Sequence, residues 1–362
     1  MVTGWFNQLF PPPKFLAPNS IGLDISDRSL KYVQLKPSHR HFQVKAYGEQ
    51  AIPVGIVESG QIKNQAALIA ELQKLRQNLR ERYLRVSLPE ENAFILRLSL
   101  PYMNTKELRS SIGLQLSQHV PLQPENAVFD YEILRWAQEP GEHFELSVTV
   151  FPKVLLMGYH QVLTAAGFTP LAYEVEAQAI ARSVINREDK ETVMIIDFGK
   201  TRTSFFIASG GIILLTSTLG NVGGENLTQA IEKGLHLPHE EAERLKEKEG
   251  LVASQNQQLL FALMPTLSVL RDEINKIYSY WNSHRGEHQE VHQAINRVIV
   301  CGGQATLPGL VEYLSDSISA PVTLGNVWTN VLPIAKVIPP ISFNQSQRYA
   351  TSLGLALRSY HD

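Results

Sequence analysis

Several features that define other classes of protein are missing from this sequence. It has one cysteine, Cys301, in 362 residues, which excludes an internal disulfide framework and favours a reducing compartment. No apolar run approaches the ~18 residues that a membrane-spanning helix needs. The charges almost balance, with 33 basic and 35 acidic residues. The net charge therefore gives no broad electrostatic field that would attract nucleic acid or a membrane surface. We therefore expect a soluble globular protein, long enough for two domains.

The first ten residues lack the basic region and long apolar core of a secretory signal. Trp5, Phe6, Leu9 and Phe10 would share one face of a helix, which Pro11 would end. Two interpretations stay open for this segment: a loose tail, or a short element that contacts a partner or the membrane surface weakly.

Two stretches, far apart in the chain, share one pattern. In each, a buried strand ends in an aspartate, a short polar turn follows, and a second strand begins: Ser20–Leu35 contains Asp24, and Met194–Ser204 contains Asp197. A turn rich in backbone N–H groups and hydroxyls suits a phosphate, and the carboxylate suits the water shell of magnesium. Each aspartate alone is equally consistent with simple capping of its own turn.

A third stretch lies near the end of the chain. The apolar strand Val298–Cys301 ends in Gly302 and Gly303, and a helix is predicted to follow. Because glycine has no side chain, a flat ring can approach the backbone at this turn. Cys301 is interpreted as a buried strand residue and not a nucleophile, since no base is near it in the sequence.

Two acid-ended hairpins followed by a late Gly-Gly turn resemble the actin-like nucleotide-binding superfamily, and within it the PilM family of type IV pilus assembly proteins. The resemblance covers most of the chain and includes Val175–Ala179, Gly220–Thr228 and Gly354–Arg358. It implies an α/β, actin-like (ribonuclease H-like) fold with two lobes, mixed sheets flanked by helices, and a small βαββα insertion in the first lobe.

The implied organisation places most of the chain in the two lobes. The divisions are an N-terminal tail (1–18), the first lobe (19–92), an inserted partner-binding subdomain (93–167), a return to the first lobe (168–189), the second lobe (190–325) and a C-terminal return to the first lobe (326–362). Hydrophobic spacing agrees with this order. An insertion here is similar to those of PilM and FtsA, and argues against actin and the sugar kinases.

The resemblance also implies ATP and Mg²⁺ between the lobes, with Asp24 and Asp197 sharing the metal through its waters. Glu176 would position an attacking water, although a carboxylate serves equally as an ion-pair partner. The other implied contacts are with the phosphates (Ser26, Ser29, Lys31, Gly199, Thr201 and Thr203), the ribose (Glu225) and the adenine (Gly302, Gly303 and Ala305), and the turn before Glu225, Gly223 and Gly224, is also implied in cofactor binding. Taken singly, the hydroxyls are also ordinary turn residues, Lys31 a solvated strand residue and Glu225 a first-turn acid. Lys246 and Lys248 lie on a charged helix where the superfamily often reaches the base or sugar, and a solvated helix face is the favoured interpretation.

The first turn departs from the PilM pattern, because Ser26 and Asp27 follow Asp24 and Ile25 where the family has a glycine and a Ser/Thr. Losing the glycine restricts the approach of the backbone to a phosphate. Asp27 adds a negative charge there, unless it turns away or Arg28 offsets it. Nucleotide binding is therefore expected ahead of efficient hydrolysis.

The function that the resemblance implies is a cytoplasmic scaffold at the inner face of the cytoplasmic membrane. Its inserted subdomain and the adjoining groove would dock the N-terminal cytoplasmic peptide of the inner-membrane protein PilN. Contacts with other inner-membrane platform proteins and self-association are also implied. Two alternatives stay open: a small-molecule phosphotransferase or ATPase of the same superfamily, and a degenerate scaffold that binds no nucleotide.

Overall fold

The computed structural model describes residues 19–38, 41–252, 256–283, 293–334 and 337–360. The apolar face predicted for Trp5–Phe10 lies outside these ranges. Two five-stranded mixed sheets form the centre of the molecule, one in each lobe.

The first lobe is built around β1, which ends in the first predicted aspartate. Its elements are β1 (Ile21–Ile25), β2 (Ser29–Ser38), β3 (His41–Ala51), β4 (Val57–Glu58), β5 (Gln61–Ile62), α1 (Gln65–Asn78) and β6 (Tyr83–Leu88). β1 pairs antiparallel with β2, which places Asp24 opposite Lys31, and parallel with β6. Leu68, Leu72 and Leu75, which recur along the sequence at helical spacing, are the buried residues of α1.

An insertion follows β6. Its elements are β7 (Phe94–Pro101), α2 (Thr105–His119), β8 (Ala127–Arg135), β9 (His143–Pro152) and α3 (Lys153–Ala165). Asn104 caps α2, as its sequence predicts, by accepting a hydrogen bond from the Lys106 N–H at 3.0 Å. The three strands, in the order β7-β9-β8, and α2 enclose a separate core. In contrast, α3 packs in the core of the first lobe through residues such as Tyr159 and Val162.

The chain then completes the first sheet and forms the second lobe. The elements are β10 (Thr169–Val175), α4 (Glu176–Val184), β11 (Thr192–Phe198), β12 (Arg202–Ser209), β13 (Ile212–Gly220), α5 (Gly224–Leu235), α6 (His239–Glu249), α7 (Gln257–Ser283), β14 (Arg297–Cys301), α8 (Leu310–Ser315), β15 (Val322–Leu324), α9 (Phe343–Ser346) and α10 (Ala350–Arg358). The sheet orders are β10-β6-β1-β2-β3 and β13-β12-β11-β14-β15. In the described ranges, no helix is long and apolar enough to cross a membrane.

The alternation of side chains along β11 directs Asp197 toward the first lobe. Met194 and Ile196 belong to the core of the second lobe, whereas Val193 and Ile195 belong to the core that includes the first lobe. Because successive strand side chains point to opposite faces, Asp197 shares the face of Val193 and Ile195.

The two central helices, α4 and α10, lie between the sheets and touch backbone to backbone. A Cβ on Gly354 of α10 would lie 1.7 Å from the Ala179 carbonyl oxygen of α4. A Cβ on Gly22 of β1 would lie 2.2 Å from the Ser352 carbonyl oxygen. Gly22 and Asp24 share a strand face, so both aspartates point into this central layer.

The strands predicted before Asp24, Asp197 and Gly302 are present, and the insertion has the predicted βαββα order. Cys301 is buried, as predicted. The hairpin of β4 and β5 was not predicted, because two-residue strands are too short to show a periodicity.

Candidate functional site

A cleft of about 360 Å³ opens between the lobes at the ends of β1 and β11. Among its lining residues are those predicted for the two turns, the Gly-Gly turn and the catalytic position: Asp24, Ser26, Ser29, Lys31, Glu176, Asp197, Gly199, Thr201, Gly302 and Gly303. The structure thus brings together three segments that are far apart in the chain.

Asp24 is buried at the end of β1 and has partners within the first lobe. The Ser87 hydroxyl donates to its Oδ1 at 3.0 Å, and Lys31 Nζ lies 3.7 Å from its Oδ2. Lys31 is therefore an ion-pair partner in the cleft and not a fully solvated strand residue.

Asp197 faces Asp24 from the second lobe. Within the described residues, no hydrogen bond or ion pair engages its carboxylate. Burial and the charge of Asp24 together raise the pKa of Asp197 to about 6, against the opposing charges of Arg202 and Lys31. A cation shared by the two carboxylates would relieve this repulsion.

The chemistry of this acid pair fits magnesium held through water. Among the described residues, no group of three or more His, Cys, Asp or Glu side chains is arranged to bind a metal directly. Magnesium commonly keeps several waters and binds through one or two carboxylates together with phosphates. Asp24 and Asp197 match that mode of binding.

The second turn is supported from behind by the start of α5. The Gly199 N–H donates to the Arg202 carbonyl at 3.0 Å and closes the turn. The N–H groups of Gly224 and Glu225 donate to the carbonyls of Gly199 and Lys200 at 3.0 and 2.8 Å. Gly223 and Gly224, predicted in the nucleotide site beside Glu225, thus pack behind this turn and do not line the cleft.

Gly302 closes over Asp197. Its φ is +95°, and a Cβ on it would lie 2.3 Å from Asp197 Oδ1. Gly303 is more open, because the nearest atom to its Cβ would be the Cβ of Arg348 at 3.7 Å. Ala305, predicted beside the adenine, is buried in the core of the second lobe and does not line the cleft.

The hydroxyls of the first turn bond within the turn itself. The Ser26 hydroxyl donates to the Ser29 carbonyl at 3.0 Å, and the two hydroxyl oxygens are 3.3 Å apart. Asp27 turns away toward the β4–β5 connection, where it accepts the N–H groups of Gly60 at 3.1 Å and Ser59 at 3.3 Å. The unfavourable charge expected from Asp27 is therefore partly satisfied by backbone donors.

Arg202 is the main residue that sequence reasoning missed. Its NH1 lies 3.1 Å from Glu91 Oε1 and 3.5 Å from Asp27 Oδ2, and its NH2 lies 3.1 Å from Glu176 Oε1. Thr201 adds a hydroxyl donor to Asp27 at 3.3 Å. Burial raises the pKa of Glu176 well above its usual value, and the charge of Arg202 opposes that rise. The sequence did contain one signal of this contact: the first turn carries an acid, Asp27, and the second turn carries a base, Arg202.

A second ion pair joins the lobes at Arg28. Its Nε and NH2 donate to the two carboxylate oxygens of Glu225 at 2.8 and 3.0 Å. Glu225, predicted at the ribose, therefore forms an ion pair with Arg28 of the first turn. Thr203, predicted at the phosphates, does not line the cleft. It is buried, and its hydroxyl donates to the Val222 carbonyl at 2.6 Å.

The expectation that Lys246 lies on a solvated face was wrong. Its side chain is only 1% exposed and donates to the Gly224 carbonyl, Thr228 Oγ1 and Glu243 Oε2 at 3.1, 2.8 and 2.8 Å. Burial lowers the pKa of Lys246, and Glu243 opposes that effect. Lys246 thus fixes α6 against the start of α5. Lys248 is exposed, as expected.

The two sheets and the helices between them define an actin-like fold. Each lobe contributes one acid-ended turn to the shared cleft, which is a candidate nucleotide site. The chain belongs to the family of the type IV pilus assembly protein PilM, whose family model matches residues 22–360. The fold class and family predicted from the sequence are confirmed.

Solved structures show the same fold. The structure of a PilM–PilN type IV pilus biogenesis complex is similar over 95% of this chain and 99% of that chain, with 22% identity and a TM-score of 0.78. MreB5 of Spiroplasma citri bound to ADP is similar over 96% of this chain and 98% of that chain, with 14% identity and a TM-score of 0.58.

The cell division protein FtsA of Bacillus subtilis is 23% identical over 180 residues, which span 45% of this chain and 40% of FtsA.

Proposed function

We propose that this chain is a type IV pilus assembly scaffold that binds ATP with magnesium between its lobes and docks a PilN-like cytoplasmic peptide. Family membership supports the role in pilus assembly. The observation that carries the nucleotide site is the pair of acids, Asp24 and Asp197, which face each other beneath Gly302.

The charge of the cleft favours a nucleotide that enters with its metal. Seven carboxylates and five basic side chains are among its lining residues. A triphosphate alone would add negative charge to an acidic cleft, whereas magnesium neutralises part of the triphosphate and part of the Asp24–Asp197 pair. The MreB5 structure with ADP supports this proposal at the level of the fold.

Calorimetry with magnesium and ATP tests the site directly. We expect binding by the wild type and loss of binding in Asp197→Ala. Asp316→Asn is the matched control, because Asp316 is an exposed acid that does not line the cleft. A wild type that gives no heat with saturating magnesium ATP would contradict nucleotide binding and favour the degenerate scaffold.

The peptide would dock where the insertion meets the two lobes. A second cavity of about 250 Å³ lies there, lined by Glu132 of β8, Gln178 of α4, and Gly211 and Ile212 beside β13, among others. The Ser147 hydroxyl of β9 donates to the Ile213 carbonyl at 2.7 Å and holds the insertion against the second lobe at this groove. The similar structure is a PilM–PilN complex, which supports this class of partner.

A PilN-derived peptide and two glutamine variants test the groove. We expect Gln178→Arg to weaken peptide binding about tenfold or more, because the larger charged side chain would fill the groove. Gln73→Arg on the exposed face of α1 is the matched control. Equal affinities for both variants would place the peptide elsewhere. Peptide docking would also hold the scaffold at the cytoplasmic face of the inner membrane, where contacts with further platform proteins and self-association would follow.

A further inference from the structure

We propose that Arg202 is a positioning residue that withholds the Glu176 carboxylate from catalysis, so that the cleft holds ATP with little turnover. This inference rests on the proposed nucleotide binding. It assigns a role to one contact inside the cleft: a guanidinium from the second lobe bound to Glu176, the first residue of α4.

The contact is buried and precise. Glu176 is 5% exposed, and the Arg202 side chain is 13% exposed. Arg202 NH2 donates to Glu176 Oε1 at 3.1 Å and lies 3.5 Å from Oε2, so one nitrogen faces both oxygens of the carboxylate. Charge-assisted hydrogen bonds of this kind are among the stronger polar contacts in proteins.

Hydrolysis of ATP needs a water to be oriented and then deprotonated. The water oxygen bonds to the γ-phosphorus while the bond from that phosphorus to the β,γ-bridging oxygen breaks, giving ADP and phosphate. The proton released by the water must pass to a base, and Glu176 is the carboxylate in the cleft predicted for that step. A carboxylate that accepts a hydrogen bond from a guanidinium is less basic than the same buried carboxylate would be without it, and it is oriented toward Arg202 and away from a water.

Arg202 is in turn held in place from the opposite side. Its NH1 lies near Glu91 and Asp27, and Asp27 is fixed by the backbone N–H groups of Ser59 and Gly60. If Arg202 swung toward a phosphate, it would leave three buried or nearly buried carboxylates without their shared cation, which is unfavourable. The arrangement therefore keeps Arg202 on Glu176.

The test uses the full chain and a variant that preserves the balance of charge in the cleft. Asp27→Asn combined with Arg202→Gln removes one charge of each sign and keeps side chains of similar size. We expect this double variant to bind a non-hydrolysable ATP analogue with magnesium within about threefold of the wild type, and to hydrolyse ATP about tenfold faster or more, since general-base catalysis contributes 10²–10⁴-fold in other enzymes. Adding Glu176→Gln should abolish the gain.

Two further variants remain informative if the double variant folds poorly. Arg202→Lys keeps the charge and should retain the low turnover. Arg202→Gln alone should raise turnover in the same direction as the double variant, because the Glu176 carboxylate then lacks its guanidinium donor. Thermal unfolding of each variant separates a loss of fold from a change at the site.

The outcomes separate the two proposals. A wild type that does not bind the analogue defeats the proposed nucleotide site. A wild type that binds it, together with a double variant that binds equally well without faster hydrolysis, overturns the role of Arg202. A double variant that loses the analogue would also overturn it, since Arg202 would then be a direct ligand contact. An Arg202→Gln variant that binds the analogue without faster hydrolysis would do the same.

Discussion

Gly302 lies so close to Asp197 that a Cβ on the glycine would come within 2.3 Å of the carboxylate Oδ1. The missing side chain therefore leaves the space that the acid occupies. We predict that Gly302→Ala displaces Asp197 and weakens binding of magnesium ATP about tenfold or more, also because the φ of +95° disfavours alanine. Gly158→Ala on α3 is the control, since nothing lies within 4 Å of the Cβ that it would add and Gly158 does not line the cleft. Equal effects of the two substitutions in calorimetry would contradict the prediction.

Magnesium-dependent nucleotide binding should depend on pH through Asp197. Its pKa is raised to about 6 by burial and by Asp24, so the carboxylate gains a proton as the pH falls through that value. Protonation removes a ligand of the metal waters, and affinity should then fall about tenfold for each further pH unit. Titrations between pH 5 and pH 8 measure this profile. Asp197→Asn should bind weakly across the range, and a wild-type affinity independent of pH would rule out the assigned role.

Glu90 should make the fold less stable as the pH rises. Burial raises the pKa of Glu90 to about 7, although the Ala177 N–H and Arg202 favour the charged form. The folded state therefore retains a proton that the unfolded state loses above its ordinary pKa of 4.5. The associated stability is present below pH 4.5 and is lost as the pH rises toward 7, by roughly 3 kcal/mol at about 1.4 kcal/mol for each unit.

Urea unfolding at pH 5 and pH 8 checks this prediction. Glu90→Gln should show a smaller difference between the two pH values than the wild type, because the amide does not titrate. An unchanged difference would mean that other groups, such as Asp197, account for the pH dependence.

The ion pair between Arg28 and Glu225 should stabilise the contact between the lobes modestly. Both nitrogens of the pair donate at 2.8 to 3.0 Å, and the two side chains are 22% and 24% exposed. A double-mutant cycle with Arg28→Gln and Glu225→Gln should give a coupling of about 1 kcal/mol that decreases at high salt. A coupling indistinguishable from zero at low salt would show that this pair does not hold the lobes together.

Much of the site was predictable from local sequence. Asp24, Asp197 and the Gly302–Gly303 turn each stand at the end of a strongly apolar strand, and such strands place their terminal residues reliably. The order of these three motifs then predicted that they meet. The helix stripe of α1 and the strands of the insertion followed from periodicity in the same way.

What the sequence did not reveal depends on partners distant in the chain. Glu225 has the appearance of an ordinary first-turn acid, and only the folded structure shows that it binds Arg28, 197 residues earlier. Lys246 is surrounded in sequence by charged residues, yet three acceptors on α5 and α6 compensate for its burial. Thr203 and Ala305 fit the motif by position but face cores, because one step along a strand or turn reverses the side-chain direction.

The contact of Gly354 with the Ala179 carbonyl affects the distance between the two central sheets. The two sheets are separated by the helices that carry these residues, and the helices approach until main chain meets main chain. A single methyl group at position 354 would push them apart, and the strands that end in Asp24 and Asp197 would separate with them. The absence of a side chain at Gly354 of α10 thus fixes the distance between Asp24 and Asp197 that a shared metal ion must span.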